Sequence, residues 1–170
     1  MANAPQRRLD VTSTVVGILF GLTFATYLET TTASDWATVY GVITSISRIC
    51  ALTGAYLALV GLVLVARIPY IERSVGHDRL VIWHRKLGPW SMYLILFHVL
   101  LVILGYAGND RVRLGVELWR MIKTYPWMLP AFIAFLFFIS AGITSYKKVR
   151  RNMTYETWWT IHLYTYLAIS

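Results

Sequence analysis

The segment that decides the fold spans residues 80–106 and reads LVIWHRKLGPWSMYLILFHVLLVILGY. A helix needs about 20 predominantly apolar residues to cross the hydrocarbon core of a bilayer. After Lys86 the segment carries no Asp, Glu, Lys or Arg as far as Tyr106, and it therefore predicts a membrane-spanning helix.

Three further stretches have the same apolar character. They run from about Val11 to Leu28, from Val39 to Ala66 and from Trp127 to Tyr146. A fifth stretch opens near Thr157 and is still apolar at Ser170. Because this last stretch is too short to cross a bilayer, we expect the chain to be truncated within its fifth helix. The sequence thus predicts an all-α membrane protein built as a multi-span helical bundle.

The overall composition agrees with a membrane protein. Hydrophobic residues make up 57% of the 170 residues, charged residues only 14%, and the mean hydropathy is +0.56. Soluble domains usually carry about 25% charged residues, so a disordered tail, a disulfide scaffold and an ordinary soluble enzyme are excluded. The net charge is +8, but the basic residues are split among loops without the continuous stripe that nucleic-acid binding requires.

Lys and Arg residues are distributed unequally between the two sides of the predicted bundle. One side has two at the N-terminus, five between the second and third spans and four between the fourth and fifth. The other side has four, all between the third and fourth spans. Since cytoplasmic loops carry the excess of positive residues, we expect an integral protein of a bacterial plasma membrane with a cytoplasmic N-terminus.

The four histidines are the candidate functional residues. His77 lies in a charged loop, whereas His84, His98 and His162 lie on predicted membrane helices, where ionisable residues are rare and usually functional. His84 and His98 are 14 residues apart. Both are therefore expected on one face of the third span, about 21 Å apart along its axis.

This separation suits two cofactors stacked across the membrane. Haem fits because imidazole is a common axial ligand of its iron. His162 is expected at the same depth as His84, whereas the partner of His98 would lie about 13–14 residues beyond His162 by helix geometry, outside the sequence. A simpler interpretation is that the histidines form hydrogen bonds between helices. Zinc is disfavoured, because no cluster has metal-ligand spacing.

Two of these segments resemble the transmembrane domain shared by ferric reductases and NADPH oxidases. They are His84-Arg-Lys-Leu-Gly88 through Leu96-Phe-His98, and Trp158-Trp-Thr-Ile-His162-Leu-Tyr-Thr-Tyr. The resemblance covers roughly residues 40–170 and is most specific in the His84/His98 pair. It implies a domain of six helices, of which five are visible in residues 1–170, with two b-type haems stacked across the membrane.

The resemblance also implies roles for the histidines. His84 and His162 would hold the inner haem, and His98 would hold the outer haem with a fourth histidine that this sequence lacks. A cytosolic module that binds FAD and NAD(P)H, in the same chain or in a partner, would supply the electrons. No flavin or nucleotide motif occurs in these 170 residues.

Three basic residues join the candidate haem site. Arg48 lies where the oxidase branch has an arginine beside the outer haem, and an arginine within lipid needs a propionate or another buried partner. Alternatively, Arg48 snorkels to the membrane surface. Arg85 and Lys86 flank His84 and would neutralise propionates or serve as positive anchors at the membrane boundary.

One position departs from the oxidase branch. That branch has a second histidine one turn beyond the outer ligand, and the corresponding residue is Val102. The departure argues against specialised superoxide production, so a ferric-reductase-like or other bacterial member fits at least as well.

These features predict a transmembrane oxidoreductase. Electrons from a cytosolic flavin and NAD(P)H donor would pass through two haems to an extracytoplasmic acceptor, either ferric iron or oxygen. Two alternatives remain open: a haem-binding membrane subunit that feeds a separate periplasmic reductase, and a non-enzymatic helical membrane protein. A flavin domain later in the chain would favour the transmembrane oxidoreductase over the haem-binding subunit. A colourless preparation would favour the non-enzymatic membrane protein.

Overall fold

The computed structural model describes residues 4–169, with only the backbone described at Pro5 and at residues 167–169. All regular structure in this range is helical. The elements are α1 (Ala4–Thr30), the 3₁₀ helix η1 (Ala33–Trp36), α2 (Val39–Val65), α3 (Pro69–Val75), α4 (His77–Asp110), α5 (Leu114–Thr124), α6 (Met128–Ser145), α7 (Lys147–Arg150) and α8 (Tyr155–Ile169).

Four of the described helices are long and apolar enough to cross a membrane. They are Gln6–Thr30 within α1, then α2, α4 and α6. These are the four complete spans expected from the sequence, and the prediction of an all-α, multi-span membrane fold is confirmed. The helix α8 begins at Tyr155, close to the predicted start of the fifth apolar stretch.

The helix α4 extends beyond its apolar segment at both ends. It begins at His77, with Asp78 in its first turn, where a carboxylate interacts favourably with the helix dipole. It also continues through Pro89, although proline lacks the N–H that would bond to the carbonyl of Arg85. Because lipid offers backbone groups no partners, a continuous helix keeps the remaining groups of this segment paired.

The chain divides into two compact units, residues 1–102 and 103–170. In the first unit, α1 packs against α2 and α3. The buried Tyr27 hydroxyl on α1 donates a hydrogen bond of 3.2 Å to the carbonyl of Ser45 on α2. The Tyr56 hydroxyl on α2 donates back to a carbonyl of α1, so the first two spans are joined by polar contacts in both directions.

In the second unit, α6 packs against α8. The rings of Phe137 and Tyr164 stack across this contact, with centroids 5.3 Å apart and planes at 15°. Ala141 on α6 is buried. Aromatic stacking and small residues therefore hold these two helices together, as is usual between helices in lipid.

The short helix α5 buries a carboxylate, that of Glu117, beside the apolar Met121. Glu117 is fully buried and pairs with Arg120, whose Nη2 lies 2.8 Å from Oε2. The same guanidinium pairs with Asp110 at the end of α4. Leu114 and Trp119 are exposed instead, an arrangement suited to a helix that lies at a membrane surface. Hydropathy does not predict α5, because its hydrophobic residues are interrupted by charges.

In the first unit, α2 and α4 approach closely at Gly54. A Cβ atom at this position would lie 2.9 Å from Cγ1 of Ile95 and 3.1 Å from Cβ of Leu94. The absence of a side chain therefore allows the two backbones to approach, as small residues commonly do in membrane helix pairs.

We expect Gly54→Ala to destabilise the protein by about 1–3 kcal/mol, because overpacking forces the helices apart. Gly21→Ala is the matched control, since a Cβ at Gly21 would meet no atom within 4 Å. The free energy of unfolding of the control should rise by about 0.5–1 kcal/mol, because alanine has less conformational entropy to lose on folding than glycine. The measurement is unfolding in detergent micelles. A Gly54→Ala protein as stable as the control would contradict the close approach.

Candidate functional site

Hydrogen bonds between side chains and backbone carbonyls join α4 to α2 at three levels. At the first, Nδ1 of His98 lies 3.0 Å from the carbonyl oxygen of Ser47. The Ser47 hydroxyl lies 2.8 Å from the same nitrogen and donates a bond of 3.0 Å to the carbonyl of His98. At this first level Ser47 is fully buried and His98 is half-buried.

The other two levels follow at regular intervals. The buried Ser91 hydroxyl donates to the carbonyl of Gly54 at 2.7 Å, and Nδ1 of His84 lies 3.0 Å from the carbonyl of Gly61. We call these three levels the α2–α4 ladder. Its α4 members are His84, Ser91 and His98, and its α2 members are Gly61, Gly54 and Ser47.

The ladder has a period of seven residues on both helices. Each step of seven along α4 is matched by a step of seven back along α2, as antiparallel helices require. Seven residues complete almost two turns, so all three α4 members lie on the face directed at α2. The shared face of His84 and His98 is what their 14-residue spacing predicts.

The ladder determines which ring nitrogen of each α4 histidine carries the proton. A carbonyl oxygen only accepts hydrogen bonds, so Nδ1 of His84 and Nδ1 of His98 must be the donors. In a neutral imidazole the lone pair then belongs to Nε2. Donation from Nδ1 to a carbonyl is also the usual arrangement of a metal-binding histidine. Both side chains therefore fit an axial ligand of haem iron.

His162 lies in the second unit and has different neighbours. Its Nδ1 lies 3.2 Å from the hydroxyl of Ser145, the last residue of α6. Its ring stacks on that of Trp158, with centroids 5.1 Å apart and planes at 22°. A hydroxyl both donates and accepts, so this contact is compatible with either tautomer. The imidazole remains a suitable donor for haem iron.

No group of three or more His, Cys, Asp or Glu side chains within the described residues could hold a metal ion. A metal held entirely by protein side chains, such as structural zinc, needs about four such ligands. Single, separated imidazoles instead suit iron that is already held by a porphyrin.

The basic candidates have distinct positions. Arg48 lies nine residues beyond the start of α2 and pairs with Asp35 of η1, at 3.7 Å between Nη1 and Oδ1. The Arg48 side chain therefore reaches from its helix towards a loop carboxylate, as a snorkelling arginine does. Arg85 and Lys86 are exposed on α4 beside His84. His77 is half-buried and lies 3.9 Å from a carboxylate oxygen of Glu72.

Sequence reasoning did not identify the residues that position the histidines. On α2 these are Ser47 and Gly61, and in the second unit they are Ser145 and Trp158. The seven-residue repeat of Ser47, Gly54 and Gly61 is a usable signal, because small residues with this period mark a close helix contact. No comparable repeat precedes Ser145.

One comparison with known proteins bears on these residues. A family model described as Ferric reductase like transmembrane component matches residues 50–170. The match includes His84, His98 and His162, whereas Ser47 and Arg48 precede it. No solved structure matches the chain significantly.

Asp35, the partner of Arg48, also closes the turn before α2. Its Oδ2 accepts hydrogen bonds from the backbone N–H and from the hydroxyl of Thr32, both at 2.8 Å. These bonds, with the nearby charge of Arg48, hold the pKa of Asp35 below its ordinary value. A lowered pKa means that folding favours the ionised form.

We therefore expect Asp35→Asn to lower the midpoint of thermal unfolding at pH 7. The stabilisation by ionised Asp35 is present above its unfolded pKa of about 3.9 and is lost as the pH falls through the folded value. The difference between wild type and variant should accordingly begin to shrink as the pH falls below about 4 and should vanish once the folded wild-type carboxylate is protonated too. Glu29→Gln, at an exposed carboxylate near the end of α1, is the control. A difference that does not change with pH would contradict this role of Asp35.

Proposed function

The chain belongs to the family of ferric reductase-like transmembrane components, and from this premise we propose that it carries electrons across a membrane by means of bound b-type haem. The family and the four candidate spans support a membrane oxidoreductase. The observation that carries the proposal further is the α2–α4 ladder, since it holds two imidazoles of one helix by Nδ1 and so places the lone pair of each neutral ring on Nε2.

We assign His84, His98 and His162 as axial ligands. His84 and His98 are about 21 Å apart along α4 by helix geometry, so they would serve two different haems. The pairing of His84 with His162 and of His98 with a further histidine outside this sequence comes from the family resemblance and stays a prediction.

Haem supplies one-electron chemistry when bound, because its iron alternates between the ferric and ferrous states. The protein's residues have three tasks. The carbonyls of Gly61 and Ser47 orient the two α4 imidazoles and make them stronger donors. The apolar residues of the helices exclude water. A histidine on each side of an iron would leave no coordination position for a substrate, which favours electron transfer over reaction at the metal.

The charged candidates are proposed as partners for haem propionates. Arg85 and Lys86 are exposed beside His84 and are suited to charge-assisted hydrogen bonds with carboxylates. Arg48 follows Ser47, the residue bonded to His98, and Asp35 would compete with a propionate for its guanidinium. Arg48 is therefore a candidate whose present partner must be displaced.

The donor and the acceptor follow from the family resemblance. We propose that a module that binds FAD and NAD(P)H, in the same protein or in a partner, delivers electrons on the cytoplasmic side. The acceptor on the other side would be ferric iron or oxygen. Val102 stands where the oxidase branch has an additional histidine, which favours ferric iron.

The test is the haem content of histidine variants purified from haem-replete cells. The wild type should show a reduced b-type spectrum. His84→Ala and His162→Ala should each lose one haem, and His98→Ala should lose the other, because each removes an axial ligand. His77→Ala is the matched control and should retain both, since His77 lies at the start of α4 beside Glu72. A colourless wild type, or unchanged haem in all three variants, would contradict the proposal.

A further inference from the structure

Two side chains contact His162, and a third contacts one of these two. Ser145 ends α6, Arg150 ends α7, and Trp158 precedes His162 by one turn of α8. We refer to Ser145, Arg150 and Trp158 as the His162 clamp. The function proposed above gives these three residues no role.

The clamp contacts the imidazole of His162 in two perpendicular directions. Ser145 Oγ lies 3.2 Å from Nδ1, at the edge of the ring. Trp158 covers one face, with centroids 5.1 Å apart and planes at 22°. An edge contact limits rotation of the ring about its bond to Cβ, and a face contact limits its tilt. Together they define the direction in which Nε2 points.

The clamp residues also hold one another. Nε1 of Trp158 donates a hydrogen bond of 3.2 Å to the same Ser145 hydroxyl. On Trp158, the guanidinium carbon of Arg150 lies 4.1 Å from the ring centroid, within the range of a cation–π interaction. Ser145 thus fixes the indole at its edge, and Arg150 holds it by its π-system.

At His162, side chains make the contacts that backbone carbonyls make at His84 and His98. Those histidines bond to carbonyls within a helix pair, whereas Nδ1 of His162 contacts a hydroxyl that is itself shared with Trp158. A ligand held in this way depends on the side chains around it. Its orientation is therefore set by residues that can be changed singly.

We propose that Ser145 and Trp158 are positioning residues for His162 as a haem ligand, and that Arg150 raises the reduction potential of the haem that His162 binds. This inference rests on the proposed function. Reduction adds one electron to the iron and lowers the local positive charge by one. The exposed guanidinium of Arg150 lies on the indole that stacks on His162, and this positive charge therefore favours the reduced state.

The experiment compares clamp variants with neighbours of the same type. Arg150→Gln is compared with Arg151→Gln, and Trp158→Leu with Trp159→Leu. The ring of Trp159 stacks on that of Tyr155, with centroids 6.4 Å apart, and also contacts the ring of Trp158. Trp158→Phe and Arg150→Lys are conservative variants that keep an aromatic ring and a cation, respectively. They replace the larger changes if size-exclusion chromatography shows that those variants are misfolded.

Haem content, midpoint potentials and the low-spin EPR signals of the oxidised protein are measured for each variant. Arg150→Gln should keep its haem and shift one midpoint potential downward while the other is unchanged, and Arg150→Lys should restore it. Trp158→Leu and Ser145→Ala should shift or broaden one EPR signal, because the imidazole orientation changes. Trp158→Phe should retain more of the wild-type signal than Trp158→Leu. Both control variants should match the wild type.

Potentials and EPR signals that match the wild type in all clamp variants would overturn the inference. So would equal effects in the clamp variants and their controls, since these would indicate anchoring at the membrane surface alone. Failure of the proposed function looks different: the wild type would then be haem-free, or His162→Ala would keep all of its haem. A clamp without effect in a protein whose His162→Ala variant loses haem refutes only the clamp.

Discussion

The feature on which the rest of the account depends is the hydrogen bonding of α4 to the backbone carbonyls of α2. His84, Ser91 and His98 are polar residues in an otherwise apolar segment, and lipid offers them no partners. Carbonyls of α2 meet all three at matched intervals of seven residues. Each such bond contributes only about 0.6 kcal/mol between membrane helices. The ladder therefore matters less for stability than for register, because a shift of one residue would rotate all three side chains away from their partners.

The register between α2 and α4 determines how the imidazoles of His84 and His98 are oriented as proposed ligands. The ladder places the proton of each α4 imidazole on Nδ1, because the carbonyl oxygens of Gly61 and Ser47 can only accept hydrogen bonds. Gly54 contributes by allowing close approach at the middle level, where a Cβ would lie 2.9 Å from Ile95. His162 is held differently, by a hydroxyl and an indole that are themselves movable. The chain thus has two proposed ligands on one helix whose Nδ1 atoms meet backbone carbonyls, and a third whose Nδ1 meets a side chain.

Hydropathy alone predicts where the spans lie, because the cost of burying charge in lipid dominates every other local preference. The spacing of His84 and His98 also predicts their common face. The sequence could not predict which groups on α2 would meet them, since every residue of a helix has a carbonyl and only packing selects one. Asp35 as the partner of Arg48 depends on a turn that hydropathy does not describe. Hydropathy also misses α5, because its apolar residues alternate with charged ones and its buried residues include Glu117 as well as Met121.

The most direct test of the account is the tautomer of the α4 histidines. In the double variant His77→Ala with His162→Ala, His84 and His98 are the histidines that remain within residues 1–170. With this variant prepared without haem, ¹⁵N labelling of histidine followed by NMR at neutral to basic pH distinguishes a protonated Nδ1 from a protonated Nε2. The account predicts that both residues are neutral imidazoles with the proton on Nδ1, donated to α2. Protons on Nε2 would contradict it, because the ladder would then not exist and neither residue would present Nε2 to a metal.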